Sequence, residues 1–265
     1  MTSDQLKSTL LSLANSPVDF SIAFSGKRIK RINGFYTVET RTILIHDRNF
    51  TDDNLLLYTA IHEYAHHLHA VILGGTLPAH PHSPEFMAIL HRLITIAEDK
   101  GIYRNVFNDS PELIRLSEKI RNDFLTRNGT LLKELGATLI RASEICVSIG
   151  GRFEDYLDRV LRIPRVAANL AINAYNMDLN PAVGPDNMRF LAGIKQREKR
   201  EEAEAALLEG ESPATVRVHT KKSESLKPEQ TKQERLIQEK ARIALSIEKL
   251  QKRLDEIDQE LAFDA

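Results

Sequence analysis

Apolar positions along the chain fall into three regimes. Leu6, Leu10, Leu11 and Leu13 recur at helical spacing and predict a short amphipathic helix over 5–15 that stops before Pro17. Between Phe20 and Asp47 the pattern changes to short β-rich runs, FSIAF, RIKRI, FYTVET and TILIHD; Asn33-Gly34, between the second and third, predicts a hairpin turn. Thr51 or Asp52 then caps a long helix reaching about Leu73, with Leu57, Ile61, Ala65, Leu68 and Ile72 on one stripe and Gly74-Gly75 at its end. A loop rich in proline and histidine leads to Ser83-Pro84, a cap and first-turn pair that opens another helix through about Asp99.

After Gly101 every periodic segment is helical: 110–126, 129–148, 152–161, 164–176 and 186–208. An all-α module over 101–208 is the consequence. Periodicity fades over 209–231, where EGESPATVRVHTKKSESLKPEQ reads as a flexible linker. From 232 to 265 a heptad returns, with Leu236, Ile243, Leu250 and Ile257 at one core position and Lys240, Ile247, Leu254 and Leu261 at the other. That seam predicts a coiled coil and a homo-oligomer built through it, the alternative being a helix that packs within its own chain against Met188–Leu208. The expected fold class is therefore α+β: a domain over 1–100 with a few-stranded sheet beside a long helix, then an all-α module and a C-terminal coiled coil.

Composition narrows the class without choosing a chemistry. Of 265 residues, 42% are apolar and 28% charged, enough to bury a core over most of the length. No run approaches the ~18 apolar residues of a spanning helix, and the formal charge of −1 supplies no global field toward nucleic acid or anionic lipid. The opening MTSDQLKSTLLSLANS does not read as a secretory signal, so a cytoplasmic location with no membrane partner is expected. The single cysteine, Cys146 in the apolar run Ile145-Cys146-Val147, excludes a disulfide framework and a cysteine-built zinc ribbon, and reads as an inert buried thiol.

Histidine is where chemistry enters, because eight of the nine lie between His46 and His91. In His62-Glu63-Tyr64-Ala65-His66 two imidazoles four residues apart project from one helical face and can reach one ion. Glu63, about 100° round the helix from His62, falls beside such an ion, where a carboxylate can take a proton from water. A catalytic zinc site of this kind wants a third protein ligand and one open position. His82, just ahead of the helix opened by Ser83-Pro84, is the first candidate, followed by Glu85 and His80. His67 and His69 read as solvent-facing or supporting side chains, and His46 and His91 as structural side chains, with orientation of the ligands as their alternative role. Tyr36, Tyr58, Tyr64 and His91 are candidates to stabilise an oxyanion.

IHEYAHHLHA followed by HSPEF resembles the SprT-like zinc metallopeptidases, in which an HExxH helix is followed, beyond a short loop, by His-Gly/Ser-Pro-x-Phe at the start of the next helix. The likeness covers about residues 20–100. It implies a minimal zincin domain over 1–100, His62, His66 and His82 as zinc ligands, Glu63 as catalytic base, and in some relatives proteolysis of proteins attached to DNA. The chain departs from that pattern in lacking a Cys-rich zinc ribbon after the catalytic domain. More weakly, LGATLIRASEICVSIGGRFEDYLDRVLRIPRVAANLAINAY resembles a helix-turn-helix-like module of phage and plasmid proteins, with a recognition-type helix opened by Pro164 and displaying Arg165, Asn169 and Asn173. The resemblance implies DNA contact through 150–176, but residues 101–194 hold 12 basic against 11 acidic side chains, and that balance favours protein contact or scaffolding for this module. The expected function is a zinc-dependent endopeptidase acting on protein substrates, with DNA-associated proteins among the candidates. The rival is a non-catalytic DNA-associated regulator with a structural zinc.

Overall fold

The computed structural model describes residues 1–225, so the expected coiled coil over 232–265 lies outside the described residues. The chain divides after Thr220 into two compact units, and the first carries everything that follows except the last turn of the final described helix. It is mixed α+β and mostly helical, with a three-stranded sheet. Among the described residues no helix is long and apolar enough to cross a membrane.

Helix α1 (Ser3–Leu13) begins with a reciprocal cap: Thr2 accepts from the Gln5 amide while the Gln5 side chain accepts from the Thr2 amide. Its buried Leu6, Leu10 and Leu13 face a sheet of β1 (Ser21–Phe24), β2 (Gly34–Thr37) and β3 (Thr42–Ile45) in the order β1-β3-β2. Strand β3 pairs parallel with β1 and antiparallel with β2. Helix α2 (Asp53–Ile72) is capped by the Asp52 carboxylate, which accepts from the Asn54 and Leu55 amides at 2.8 and 3.0 Å. Helix α3 (Pro84–Asp99) starts at the Ser83 cap with Pro84 in its first turn. These elements enclose one core that includes Leu6, Leu10, Ile43, Ile45, Ile61, Tyr64, Phe86 and Leu93 and extends to Tyr103.

Three expectations for this lobe change. RIKRI forms no strand: Lys27, Arg28, Lys30 and Arg31 stay exposed, and Asn49 holds the loop instead, accepting from the Ile29 amide at 2.9 Å and donating to the Ile29 and Ile32 carbonyls. Gly34 makes no turn but lies within β2, and the hairpin is closed by residues 38–41, where Arg41 takes the left-handed conformation (φ 52°). The apolar stripe of α2 is also wider than its spacing suggests. Helix α2 is buried on most sides between sheet and flanking helices, while Ile72 at its end is 70% exposed.

In the helical part, α4 (Pro111–Lys119), a π-helical segment (Ile120–Thr126) and α5 (Arg127–Ser148) run on without the interruption expected between 126 and 129. Gly129 serves packing rather than termination, since a Cβ there would lie 2.6 Å from the Pro181 carbonyl oxygen. A short helical stretch, α6 (Phe153–Asp155) continued by a π-helical segment (Tyr156–Leu161), leads through a turn to α7 (Arg165–Asn176). Helices α5 and α7 approach so closely that a Cβ on Gly136 would meet the Ala171 carbonyl oxygen at 2.0 Å. The helix expected over 186–208 is broken at 193–196 into α8 (Pro185–Ala192) and α9 (Arg197–Leu208). The linker expected over 209–231 contains α10 (Pro213–Ser225), started by the Ser212 side chain and anchored by Val216 in a core with Leu179, Met188, Leu191 and Ala203. Ser212-Pro213 is itself a helix-start pair of the kind that opens α3.

Candidate metal centre

Helix α2 presents His62 and His66 one turn apart, and the Ser83 cap of α3 fixes the residue before it, His82, opposite them. The three Nε2 atoms converge: His82 stands 3.1 Å from His62 and 3.2 Å from His66. Around an ion held by imidazole nitrogens at ~2.0–2.1 Å, tetrahedral ligands stand about 3.3–3.4 Å apart. A network of hydrogen bonds explains the convergence less well, because each ring nitrogen offers one hydrogen or one lone pair and His82 Nε2 faces two neighbours. His62, His66 and His82 are thus able to hold a metal ion. Glu85 and His80, the other candidates for third ligand, are not among the grouped donors.

Charge favours the ligand form of these rings. Burial, reinforced by the neighbouring imidazoles, pushes His66 down to about 3, and the same two causes lower His62. Neutral imidazoles are the species that coordinate metals. Beneath all three lies Phe86, fully buried, its ring centroid 4.2 Å from that of His66, 5.1 Å from His62 and 4.9 Å from His82. The apolar floor restricts the rotamers of all three imidazoles at once.

Glu63 is buried beside the histidines, and burial pushes its carboxyl up to about 7 against the counteracting hydrogen bond from the Tyr36 amide. It opens onto a cleft lined by Ile32, Asn33, Gly34, Tyr58, Thr59 and His62. The absent side chain of Gly34 allows β2 to lie directly on α2 at this point: a Cβ would be 3.2 Å from Thr59 Cγ2 and 3.5 Å from Glu63 Cγ.

The remaining sequence candidates separate. His67 is neither solvent-facing nor at the metal site; it is fully buried, with Nε2 2.8 Å from Ser16 Oγ and Nδ1 3.0 Å from Tyr36 OH, and ties the loop before β1 to β2. His69 is likewise buried, with its Nδ1 unpartnered among the described residues. His46 is turned to Ser25 Oγ at 2.8 Å, and His91 lies on α3 with a buried Nδ1 that has no partner among the described residues. Tyr64 donates to the Ala14 carbonyl at 2.6 Å and Tyr36 OH is engaged by His67, whereas Tyr58 lines the cleft with Glu63. Phe86 and Gly34 escaped sequence reasoning as site residues, although the spacing of Phe86 from His82 marks it as part of the same motif.

On the helical part, Arg162 takes a left-handed conformation (φ 55°) in the turn before α7. Val166, Asn169 and Asn173 are exposed on α7, while Arg165, expected to be offered to DNA, is ion-paired with Asp158. Compared with protein-family models, with curated proteins and with solved structures, the chain matches none.

Proposed function

We propose that this protein is a zinc-dependent endopeptidase, as its resemblance to the SprT-like metallopeptidases implies, with His62, His66 and His82 holding the metal and Glu63 as general base. The observation that carries this reading is a three-nitrogen donor set with a buried carboxylate beside it, at the wall of an open cleft. Three imidazoles suit zinc and leave a coordination position open. When bound, the ion supplies Lewis acidity to a water molecule and to the scissile carbonyl.

Glu63 does the proton work. Its carboxylate takes one proton as the water oxygen bonds to the carbonyl carbon, and delivers that proton to the amide nitrogen as the C–N bond breaks. The Tyr36 amide holds the carboxylate in place, and the β2–α2 contact at Gly34 limits its motion. Tyr58 is the phenol best positioned to meet developing charge in the cleft.

The competing reading, a non-catalytic DNA-associated protein with a structural zinc, leaves a buried carboxylate at the cleft wall without a purpose, for burying an ionisable group is costly. The deciding experiment incubates zinc-loaded protein with an unfolded polypeptide in water enriched in oxygen-18. New C-termini carrying one heavy oxygen per cut support the proposal. An intact polypeptide at stoichiometric enzyme, with zinc bound, favours the structural reading.

A further inference from the structure

One exposed loop borders the cleft and carries charge of a single sign. Between Asp19 and Glu39 the chain holds no acidic residue, and four of the five residues 27–31, Lys27, Arg28, Lys30 and Arg31, are cationic and exposed. None of the four has an ion-pair partner among the described residues. The loop is nonetheless fixed. The Asp47 carboxylate accepts from the Gly26 amide at 2.8 Å, while Asn49 accepts from the Ile29 amide at 2.9 Å and donates to the Ile32 carbonyl at 3.0 Å. Like charges gathered on a held backbone repel one another. A positive rim of this kind draws an anionic ligand toward the opening it borders.

Position decides which anion. Ile32 and Asn33, the two residues after the loop, are wall of the cleft that holds Glu63 and His62. Consecutive Cα atoms stand ~3.8 Å apart, so those of Arg31 and Lys30 lie within about 8 Å of that of Ile32. Arg48, exposed and next to the Asn49 that holds the loop, adds a fifth cation. Against these five stand Asp47, Asp52 and Asp53, of which the first two already accept from backbone amides. Glu39 and Arg41 sit in the turn at the opposite end of the β2–β3 hairpin. The balance beside the cleft is therefore positive.

We propose that residues 27–31 are a docking site for acidic segments of an unfolded polypeptide, which the loop presents to the cleft. The inference rests on the peptidase reading of that cleft, for a polypeptide lying beside Glu63 continues over Ile32, 46% exposed, onto the loop. Its apolar side chain meets Ile32 and its carboxylates meet the cations. Nucleic acid is the other polyanion such a loop could meet. It fits less well: the whole chain, at −1, supplies no field for it, and binding along a phosphate backbone gathers its strength from more charges than one loop holds.

The test uses the full-length, zinc-loaded protein and matched quenched fluorescent peptides sharing one apolar centre, flanked by four Glu, four Gln or four Lys. At low salt the Glu peptide should exceed the Gln peptide in kcat/KM by about tenfold or more, as four exposed ion pairs allow. The difference should lie in KM and fade at about 0.5 M salt. Reversing the loop with Lys30→Glu and Arg31→Glu should turn the preference toward the Lys peptide, with zinc content and circular dichroism unchanged. Fluorescence anisotropy of the same peptides separates the loop from the chemistry. Tighter binding of the Glu peptide that the reversal abolishes, with no peptide cut, supports the docking site and removes the peptidase. Equal handling of the Glu and Gln peptides, or a preference that survives the reversal, overturns the docking site and leaves the peptidase standing. A DNA oligonucleotide of equal charge that displaces the Glu peptide and loses its own binding on reversal overturns it in favour of nucleic acid.

Discussion

Gly34 on β2 packs against Glu63 on α2: a Cβ at Gly34 would touch Glu63 Cγ at 3.5 Å, while crowding Thr59 Cγ2 on the same helix at 3.2 Å and the Leu44 carbonyl oxygen of β3 at 2.8 Å. The edge strand is thereby held to the carboxylate, and the Tyr36 amide reaches it. Gly34→Val must push β2 away from α2. The expected cost is about 1–3 kcal/mol of stability, seen as a lowered urea midpoint, together with a loss of peptidase turnover. Zinc content should persist, because the three histidines are held from the other side by α3 and Phe86.

Phe86 makes the complementary prediction. Its ring contacts all three candidate ligands, so Phe86→Ala should cost about 3–5 kcal/mol as a core cavity and weaken zinc binding by about tenfold or more. Phe86→Leu should recover most of the stability. Competition with a chromophoric chelator measures the affinity, and an unchanged zinc affinity in the alanine variant would contradict a positioning role.

The pH dependence of the metal-free protein tests the burial of Glu63. The group ionises near 4.5 when unfolded and near 7 when folded, so between these values the folded state binds more protons and stability falls as pH rises. Glu63→Gln removes that loss. The chelator-treated variant should exceed the wild type by about 1–3 kcal/mol at pH 8, with the difference disappearing near pH 4. His66, His67 and His91, all lowered by burial, destabilise both proteins alike as pH falls below their ordinary range, so they cancel in the comparison.

Gly136 governs the helical part. A methyl group there would lie 2.0 Å from the Ala171 carbonyl oxygen, so Gly136→Ala should force α5 and α7 apart and lower thermal stability by about 1–3 kcal/mol. Zinc stoichiometry should not change, since the core around Leu139, Leu157, Ala168 and Ala171 is separate from the one that carries the histidines.

How much of this was legible in the sequence depended on whether the determining interaction was local. The caps Asp52 and Ser83, the His62/His66 spacing and the position of His82 before Pro84 are all short-range, and the helices and donor set follow from them. Gly34, Gly129 and Gly136 misled or stayed silent because their purpose is close approach to residues far away in the chain, which sequence pattern does not encode. His67 was misjudged for the same reason, since its partners Ser16, Val18 and Tyr36 come from other elements. In α10, a valid start signal at Ser212-Pro213 was outweighed by the polar composition around it.

The most direct test of the central claim is the hydrolysis rate of an unfolded polypeptide by wild type and Glu63→Gln at equal, verified zinc occupancy. The account predicts measurable turnover in the wild type and a loss of ~10²-fold or more in the variant, with His62, His66 and His82 still holding the metal. Equal rates in the two zinc-loaded proteins would contradict it.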